Sequence, residues 1–221
     1  MKIGVVGLGY WGPNLVRNFY GLHEVEEVIA CDNDEDRLQF IKNRYPSIKT
    51  TKNFEDLLNG SYSAVVIATP VDAHYPLAKK ALLAGKHVWV EKPFTASVQE
   101  AKELIKIADS RNLKIFVDHT FIYTGAVRKI KELIDSGEIG DVIYFDSVRI
   151  NLGLFQSDVN VIWDLAPHDL SIMNYLIPEK QVVSVTASGI SNYYDKENIA
   201  QLSYNFKQQS CFAHFHVNWT S

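Results

Sequence analysis

From residue 2 to residue 117 the chain alternates short apolar runs with helical patterns, and few folds accommodate that alternation. The apolar runs lie at 2–6, 25–31, 64–68 (AVVIA), 87–90 and 114–117. Helical stretches lie between them at 13–20, 34–44, 73–84 and 97–111. Pro46 ends the second helix, and Gly85 is a C-terminal stop for the third. Short apolar runs spaced by helices imply a parallel sheet buried on both faces. The predicted fold of this half is α/β, a doubly wound parallel sheet.

After about Asp118 the texture changes. A helix is predicted at 125–136, ending at Gly137, then a long strand at 141–151 and a helix near 167–176. Three long strands at 181–190, 198–206 and 209–219 follow without intervening helices. This describes an α+β domain whose largely antiparallel open sheet carries helices on one side. The last strand runs almost to Ser221, so the sheet reads as incomplete and the chain as truncated.

Composition removes several function classes. Of 221 residues, 47% are hydrophobic and 22% charged, which excludes disordered, collagen-like and coiled-coil chains. The net charge is −4 with no basic block, so no nucleic-acid partner is expected. No run approaches the ~18 apolar residues of a membrane span. The first residues lack the apolar core and cleavage site of a signal peptide. Two cysteines, Cys31 and Cys211, fit a reducing compartment. The expected location is the cytoplasm, and Asn218-Trp219-Thr220 is then a chance glycosylation match.

Gly7-Leu8-Gly9-Tyr10-Trp11-Gly12 is a G-x-G-x-x-G turn between a predicted strand and a predicted helix, the setting that gives the motif meaning. Gly7 permits the tight turn, Gly9 lets a pyrophosphate approach the backbone, and Gly12 lets the helix pack against the sheet. The helix N-terminus offers free N–H groups to the phosphates. Asp32 lies 20 residues beyond Gly12, at the end of the second strand. A carboxylate there accepts both ribose hydroxyls and repels a 2′-phosphate, which favours NAD over NADP. Asp32 also reads as a simple turn residue capping the next helix. The expected domains are 1–118, a Rossmann domain binding NAD(P), and 119–221, a partial α+β domain for substrate binding and oligomerisation.

Glu91-Lys92-Pro93 directly follows the strand at 87–90. Ligands of open α/β sheets bind beyond the carboxyl ends of the strands, so Lys92 projects to where a nicotinamide lies. A free lysine, with a pKa of about 10.4, is a poor base at neutral pH; burial and a cationic neighbour lower that value. Position alone leaves open a solvated lysine at a strand end.

Three segments together resemble the Gfo/Idh/MocA family of NAD(P)-dependent sugar oxidoreductases. They are Gly7–Gly12, Ala68-Thr69-Pro70 with His74, and Glu91-Lys92-Pro93. The stretch Trp163-Asp164-Leu165-Ala166-Pro167-His168-Asp169 extends the likeness into the second half. Within the family the chain is similar to members that oxidise nucleotide-linked sugars in surface-polysaccharide synthesis, of the UDP-N-acetylglucosamine or UDP-N-acetylglucosaminuronate 3-dehydrogenase sort.

The resemblance implies a hydride transfer between a secondary sugar hydroxyl and NAD, in an enzyme acting on CH–OH. It implies that Lys92 contacts the nicotinamide ribose and the substrate hydroxyl, that His168 takes the hydroxyl proton, and that Asp164 shares that site. A histidine titrates in the range such chemistry needs. Spacing i, i+4 puts Asp164 and His168 on one helix face. Pro167 instead suggests a helix starting near it, with Asp164 in the cap region. A buried core histidine is the plain alternative for His168.

Thr69 and Pro70 resemble the segment that lies along the cofactor, and His74 approaches the same pocket or packs on the loop. Tyr10 and Trp11 cover the nicotinamide-side phosphates or pack against the second domain. Substrate-side candidates are Tyr123, Arg149 and Asn151; Arg149 offers bidentate donors to an acidic or diphosphate group, or is an exposed strand residue. His214 and His216 share a sheet face, and no metal is expected. The partners implied are a sugar or nucleotide sugar and, where the second sheet is complete, a further copy of the chain. The competing functions are oxidation of a free polyol or monosaccharide and a non-catalytic nucleotide-sensing module or inactive fragment.

Overall fold

A computed structural model describes residues 1–152, 159–192, 195–207 and 211–220. These fall into two compact units, Met1–Asp118 and His119–Ser221.

In the first unit, β1 (Lys2–Val6), β2 (Glu27–Cys31), β3 (Lys49–Thr51), β4 (Ala64–Ile67), β5 (His87–Val90) and β6 (Ile115–Val117) form one sheet. Its order is β3-β2-β1-β4-β5-β6, and every neighbouring pair is parallel. Each crossover is helical: α1 (Gly12–Tyr20), α2 (Glu35–Arg44), α3 (Glu55–Asn59), α4 (Val71–Leu83) and α5 (Val98–Ser110). The order reverses between β1 and β4, which opens a crevice at their carboxyl ends.

Continuous apolar runs make this sheet because both faces are covered. Val5 enters one core with Leu15, Val16 and Leu38, while Val6 enters the opposite core with Ala81, Leu82 and Leu104. Local signals start the helices. Asp34 caps α2, accepting from the Asp36 N–H. Ser97 and Glu100 close a reciprocal capping box on α5. The sequence pattern misses β3 and α3. β3 is a three-residue edge strand, Lys-Thr-Thr, with no apolar run to announce it, and α3 is only five residues long.

The second unit contains a 3-10 turn (Thr120–Tyr123), α6 (Gly125–Asp135), α7 (Val161–Leu176) and a four-stranded sheet ordered β7-β10-β9-β8. These strands are β7 (Tyr144–Ile150), β8 (Val182–Ile190), β9 (Ile199–Phe206) and β10 (Phe212–Asn218). β8–β9 and β9–β10 are antiparallel, whereas β10–β7 is parallel. Ala213, Phe215 and Val217 on β10 face the core with Val161, Leu165 and Met173 of α7.

Three expectations are corrected here. β7 starts at Tyr144, not at 141. The strand expected from 209 is described from Phe212, and Gln209 and Ser210 lie outside the described residues. The helix expected near Pro167 begins at Val161 and carries Pro167 in its interior. Asn160 starts it by accepting the Trp163 N–H at 3.0 Å, and the buried stripe through Val161, Leu165 and Met173 holds the segment helical despite the donor lost at Pro167. Among the described residues no helix is long and apolar enough to cross a membrane.

Candidate functional site

The glycine turn sits at the switch point between β1 and β4. Gly7 has φ +90°, and a Cβ there would lie 2.5 Å from the Ala68 carbonyl oxygen of the neighbouring strand end. A Cβ on Gly12 would lie 1.9 Å from the Gly7 carbonyl oxygen. The fold itself therefore requires glycine at these two positions. Gly9 differs: a Cβ there would meet only Arg37 Nη1, at 4.0 Å. Open space over that backbone is what an approaching ligand needs.

Asp32 is buried, and its carboxylate organises the turn. Oδ2 accepts the Leu8 N–H at 2.6 Å, and Oδ1 accepts the Asp34 N–H at 2.9 Å. Arg37 Nη1 lies 3.5 Å from Oδ2, a partner that sequence reading did not single out. A cavity of ≈ 540 Å³ opens beside the turn, lined by Gly9, Tyr10, Asn14, Arg17, Arg37 and Arg44 among others. Three guanidinium groups on one lining suit a phosphate-bearing ligand. Tyr10 is almost wholly exposed, and Trp11 donates its indole N–H to Asp118 Oδ2 at 3.3 Å.

At the carboxyl ends of β4, β5 and β6 stand Thr69, Glu91, Lys92 and Asp118. The Thr69 hydroxyl oxygen is buried without a hydrogen-bond partner. Lys92 is half-buried and precedes a cis peptide bond to Pro93. Burial, and then a hydrogen bond to Asp118 and its negative charge, push the Glu91 carboxyl up to about 9; Lys92 pulls the other way. Pro70 immediately precedes α4.

His74 is turned inward and is 1% exposed. Its Nδ1 lies 2.9 Å from the Pro93 carbonyl oxygen and its Nε2 lies 2.8 Å from the Thr69 carbonyl oxygen. Both partners only accept, so both contacts are hydrogen bonds when the ring carries two protons. His74 thus ties together the loops that carry Thr69 and Lys92, and this geometry favours the packing alternative over cofactor contact. His74→Phe keeps an aromatic ring and removes the contacts to both carbonyls. It is expected to cost about 1–3 kcal/mol in urea unfolding, from a buried hydrogen bond lost.

In the second unit α7 presents Asp164 and His168 one turn apart, so the i, i+4 reading applies and the cap-region reading does not. Asp164 is buried and accepts the Trp219 indole N–H at 3.1 Å. The His168 ring packs edge-on against Phe121, with centroids 4.8 Å apart. Arg149 is neither an exposed strand residue nor an unengaged fork. Its Nε and Nη2 each donate at 2.8 Å to Asp169, and its guanidinium lies 4.4 Å from the Phe121 ring centroid. Tyr123 is half-exposed with Arg128 over its ring, and Asn151 is exposed, its N–H bound to the Asn218 carbonyl. His214 and His216 lie on the outer sheet face, where His214 Nδ1 is 3.0 Å from Asp146.

Sequence reading missed Trp219, Phe121, Asp169 as the Arg149 partner, and the Glu91–Asp118 pair. All are long-range contacts with no local pattern. Adjacent strand ends carrying Glu91 and Asp118 offered the only available hint.

The first unit fits a dinucleotide on its own geometry. The open face over Gly9 and the unpartnered Thr69 hydroxyl are features the packed fold does not need.

Residues 1–119 match the family described as "Oxidoreductase family, NAD-binding Rossmann fold" (GFO_IDH_MocA), and residues 127–221 match its C-terminal domain. The chain belongs to the Gfo/Idh/MocA oxidoreductase family. Its N-terminal half is that family's NAD-binding Rossmann domain, so NAD is its cofactor.

Similar proteins include an uncharacterized oxidoreductase, YdgJ, of Escherichia coli, 30% identical over 201 residues, covering 84% of this chain and 56% of the relative. The UDP-N-acetylglucosamine 3-dehydrogenase of Acidithiobacillus ferrooxidans is 28% identical over 206 residues, covering 90% and 61%. The solved scyllo-inositol dehydrogenase of Lactobacillus casei, with NAD(H) and scyllo-inositol, superposes with a TM-score of 0.87 at 21% identity. That match covers all of this chain and 70% of the other, and it shows a shared fold. The chain thus spans less than two thirds of the length of these curated relatives.

Proposed function

We propose that this oxidoreductase oxidises a secondary hydroxyl of a nucleotide-linked sugar, in surface-polysaccharide sugar synthesis, with residues 1–118 holding NAD and residues 119–221 serving substrate. The observation that carries the reading is Lys92 at the carboxyl end of β5 together with Asp164 and His168 on one face of α7. The distant similarity to a UDP-N-acetylglucosamine 3-dehydrogenase supports the sugar class.

Bound NAD supplies the hydride acceptor. Gly9 leaves room for the pyrophosphate in a turn whose shape Gly7 and Gly12 permit, Tyr10 and Trp11 flank it, and Asp32 takes the ribose hydroxyls. Thr69 and Pro70 line the nicotinamide half, and Glu91 backs Lys92. Lys92 orients the substrate hydroxyl and the nicotinamide ribose. His168 would take the proton from the hydroxyl oxygen while the carbon bearing it gave its hydride to bound NAD, and buried Asp164 favours the imidazolium that results. Tyr123 and Asn151, both exposed, remain substrate-side assignments; Arg149, held by Asp169, shapes the site beside Phe121.

Similarity in fold to inositol dehydrogenases keeps a free polyol as the second reading. A homo-oligomer would use the second sheet, whose strand β8 is exposed along its length.

The test is thermal unfolding with NAD⁺, NADH, NADP⁺, UDP-sugars and free polyols, singly and in pairs. A ligand bound only by the folded state raises the midpoint by an amount set by its concentration over Kd. NAD(H) is expected to raise it more than NADP⁺ does, and one UDP-sugar to add to the NAD shift. An additive shift with inositol and none with any UDP-sugar would replace the first reading by the second.

A further inference from the structure

We propose that Glu91 and Asp118 share one proton, with Glu91 the neutral acid and Asp118 the carboxylate, and that Glu91 is thereby a positioning residue that sets the charge beside Lys92. The role toward Lys92 rests on the function proposed above; the pair itself rests on the geometry of the first unit alone.

β5 and β6 are neighbours in register, with Val90 opposite Val117. The Asp118 N–H donates to the Val90 carbonyl at 2.9 Å, so Glu91 and Asp118 are the first residues beyond two adjacent strand ends. Both carboxyls are turned from solvent, and they stand near enough for Asp118 to hold the Glu91 carboxyl above its ordinary range. Two carboxylates so placed repel and cannot hydrogen-bond, because each only accepts; one shared proton relieves both penalties.

The rest of the site decides which. Asp118 is 4% exposed, and its Oδ2 accepts the Trp11 indole N–H. That donor favours the ionised form. Glu91 Oε1 is buried with no hydrogen-bond partner. A carbonyl oxygen tolerates such a place far better than half of a carboxylate does.

The charged groups acting on Glu91 are Asp118, just past β6, and Lys92, just past β5; the Lys92 backbone N–H also bonds the Glu91 carboxyl and pulls it toward ionisation, against the larger effect of burial. The glycine turn contributes the uncharged Trp11 N–H, and on α4 the His74 ring is occupied by the Thr69 and Pro93 carbonyls. A neutral Glu91 therefore adds no negative charge beside Lys92, whereas an ionised one would hold the ammonium more firmly.

The first test is infrared difference spectroscopy of the full chain at pH 7, parent minus Glu91→Gln. A protonated-carboxyl C=O band is expected in the parent and absent in the variant; no such band overturns the proposal. The second is thermal unfolding against pH. A carboxyl whose value is raised on folding gives stability that is complete below its unfolded value and is lost as pH rises toward about 9. Glu91→Gln should remove that loss, matching the parent near pH 4 and exceeding its midpoint by about 4 °C or more at pH 8. Parallel midpoint curves overturn the proposal. If Glu91→Gln does not fold, Asp118→Asn serves: burial still holds Glu91 neutral, so the band should remain at pH 7 with a shifted frequency, and its loss would put the proton on Asp118 and overturn the proposal.

The charge beside Lys92 is read by the rate at which an amine-reactive probe labels it at pH 8, normalised to exposed lysines. Glu91→Gln alone should leave that rate within about twofold, and the double variant Glu91→Gln/Asp118→Asn should raise it about tenfold. An equal rise with Glu91→Gln alone would mean that Glu91 carries the charge, and the proposal fails. None of these readouts needs turnover, so they separate the proton-sharing pair from the proposed function.

Discussion

Lys92→Ala is expected to lower turnover by about 10²–10⁴-fold while the chain still binds NAD. The lysine stands at the end of β5, outside the glycine turn, so its loss leaves the pyrophosphate cradle and the Asp32 contacts in place. His168→Ala should lose a similar factor, because no other group is assigned to take the hydroxyl proton. The measurement is steady-state turnover on the UDP-sugar found by thermal shift, with NAD affinity read in parallel by fluorescence. Unchanged turnover in either variant removes that residue from the mechanism. Loss of turnover with loss of NAD binding would instead make Lys92 chiefly a cofactor-binding residue.

The second large effect separates fold from ligand within one turn. Gly12→Ala puts a methyl group 1.9 Å from a backbone oxygen, and no side-chain movement relieves that overlap. The variant is expected to lose about 3 kcal/mol or more and to bind no NAD. Gly9→Ala meets only the end of Arg37, a flexible side chain 4.0 Å away. It should fold with an unchanged midpoint and bind NAD about tenfold more weakly or worse, because the methyl occupies the ligand's approach. Normal NAD binding by Gly9→Ala would show that the cofactor does not pass over this backbone.

Much of the fold was legible because each element left a local signature. The strands of the first unit are apolar runs, since both faces of their sheet are covered. The three long strands of the second unit stand without helices between them. What was illegible lacked that signature. β3 is an edge of three polar residues, and its partner β2 selects it. The start of α7 was misplaced because Pro167 is a local start signal, overridden by a buried stripe that begins at Val161.

The sequence by itself determined the doubly wound sheet of an NAD-binding domain, with the glycine turn and the acid at the end of β2 at its switch point. Those features depend on residues close along the chain, whose spacing follows from helix and strand geometry. Only the tertiary structure decided how the polar side chains pair: Asp32 with Leu8 and Arg37, Arg149 with Asp169, Asp164 with Trp219, His74 with two carbonyls, and Glu91 with Asp118. A buried polar group must find a partner of the opposite hydrogen-bonding sense, and that partner is set by which chain segments the packed sheets bring together.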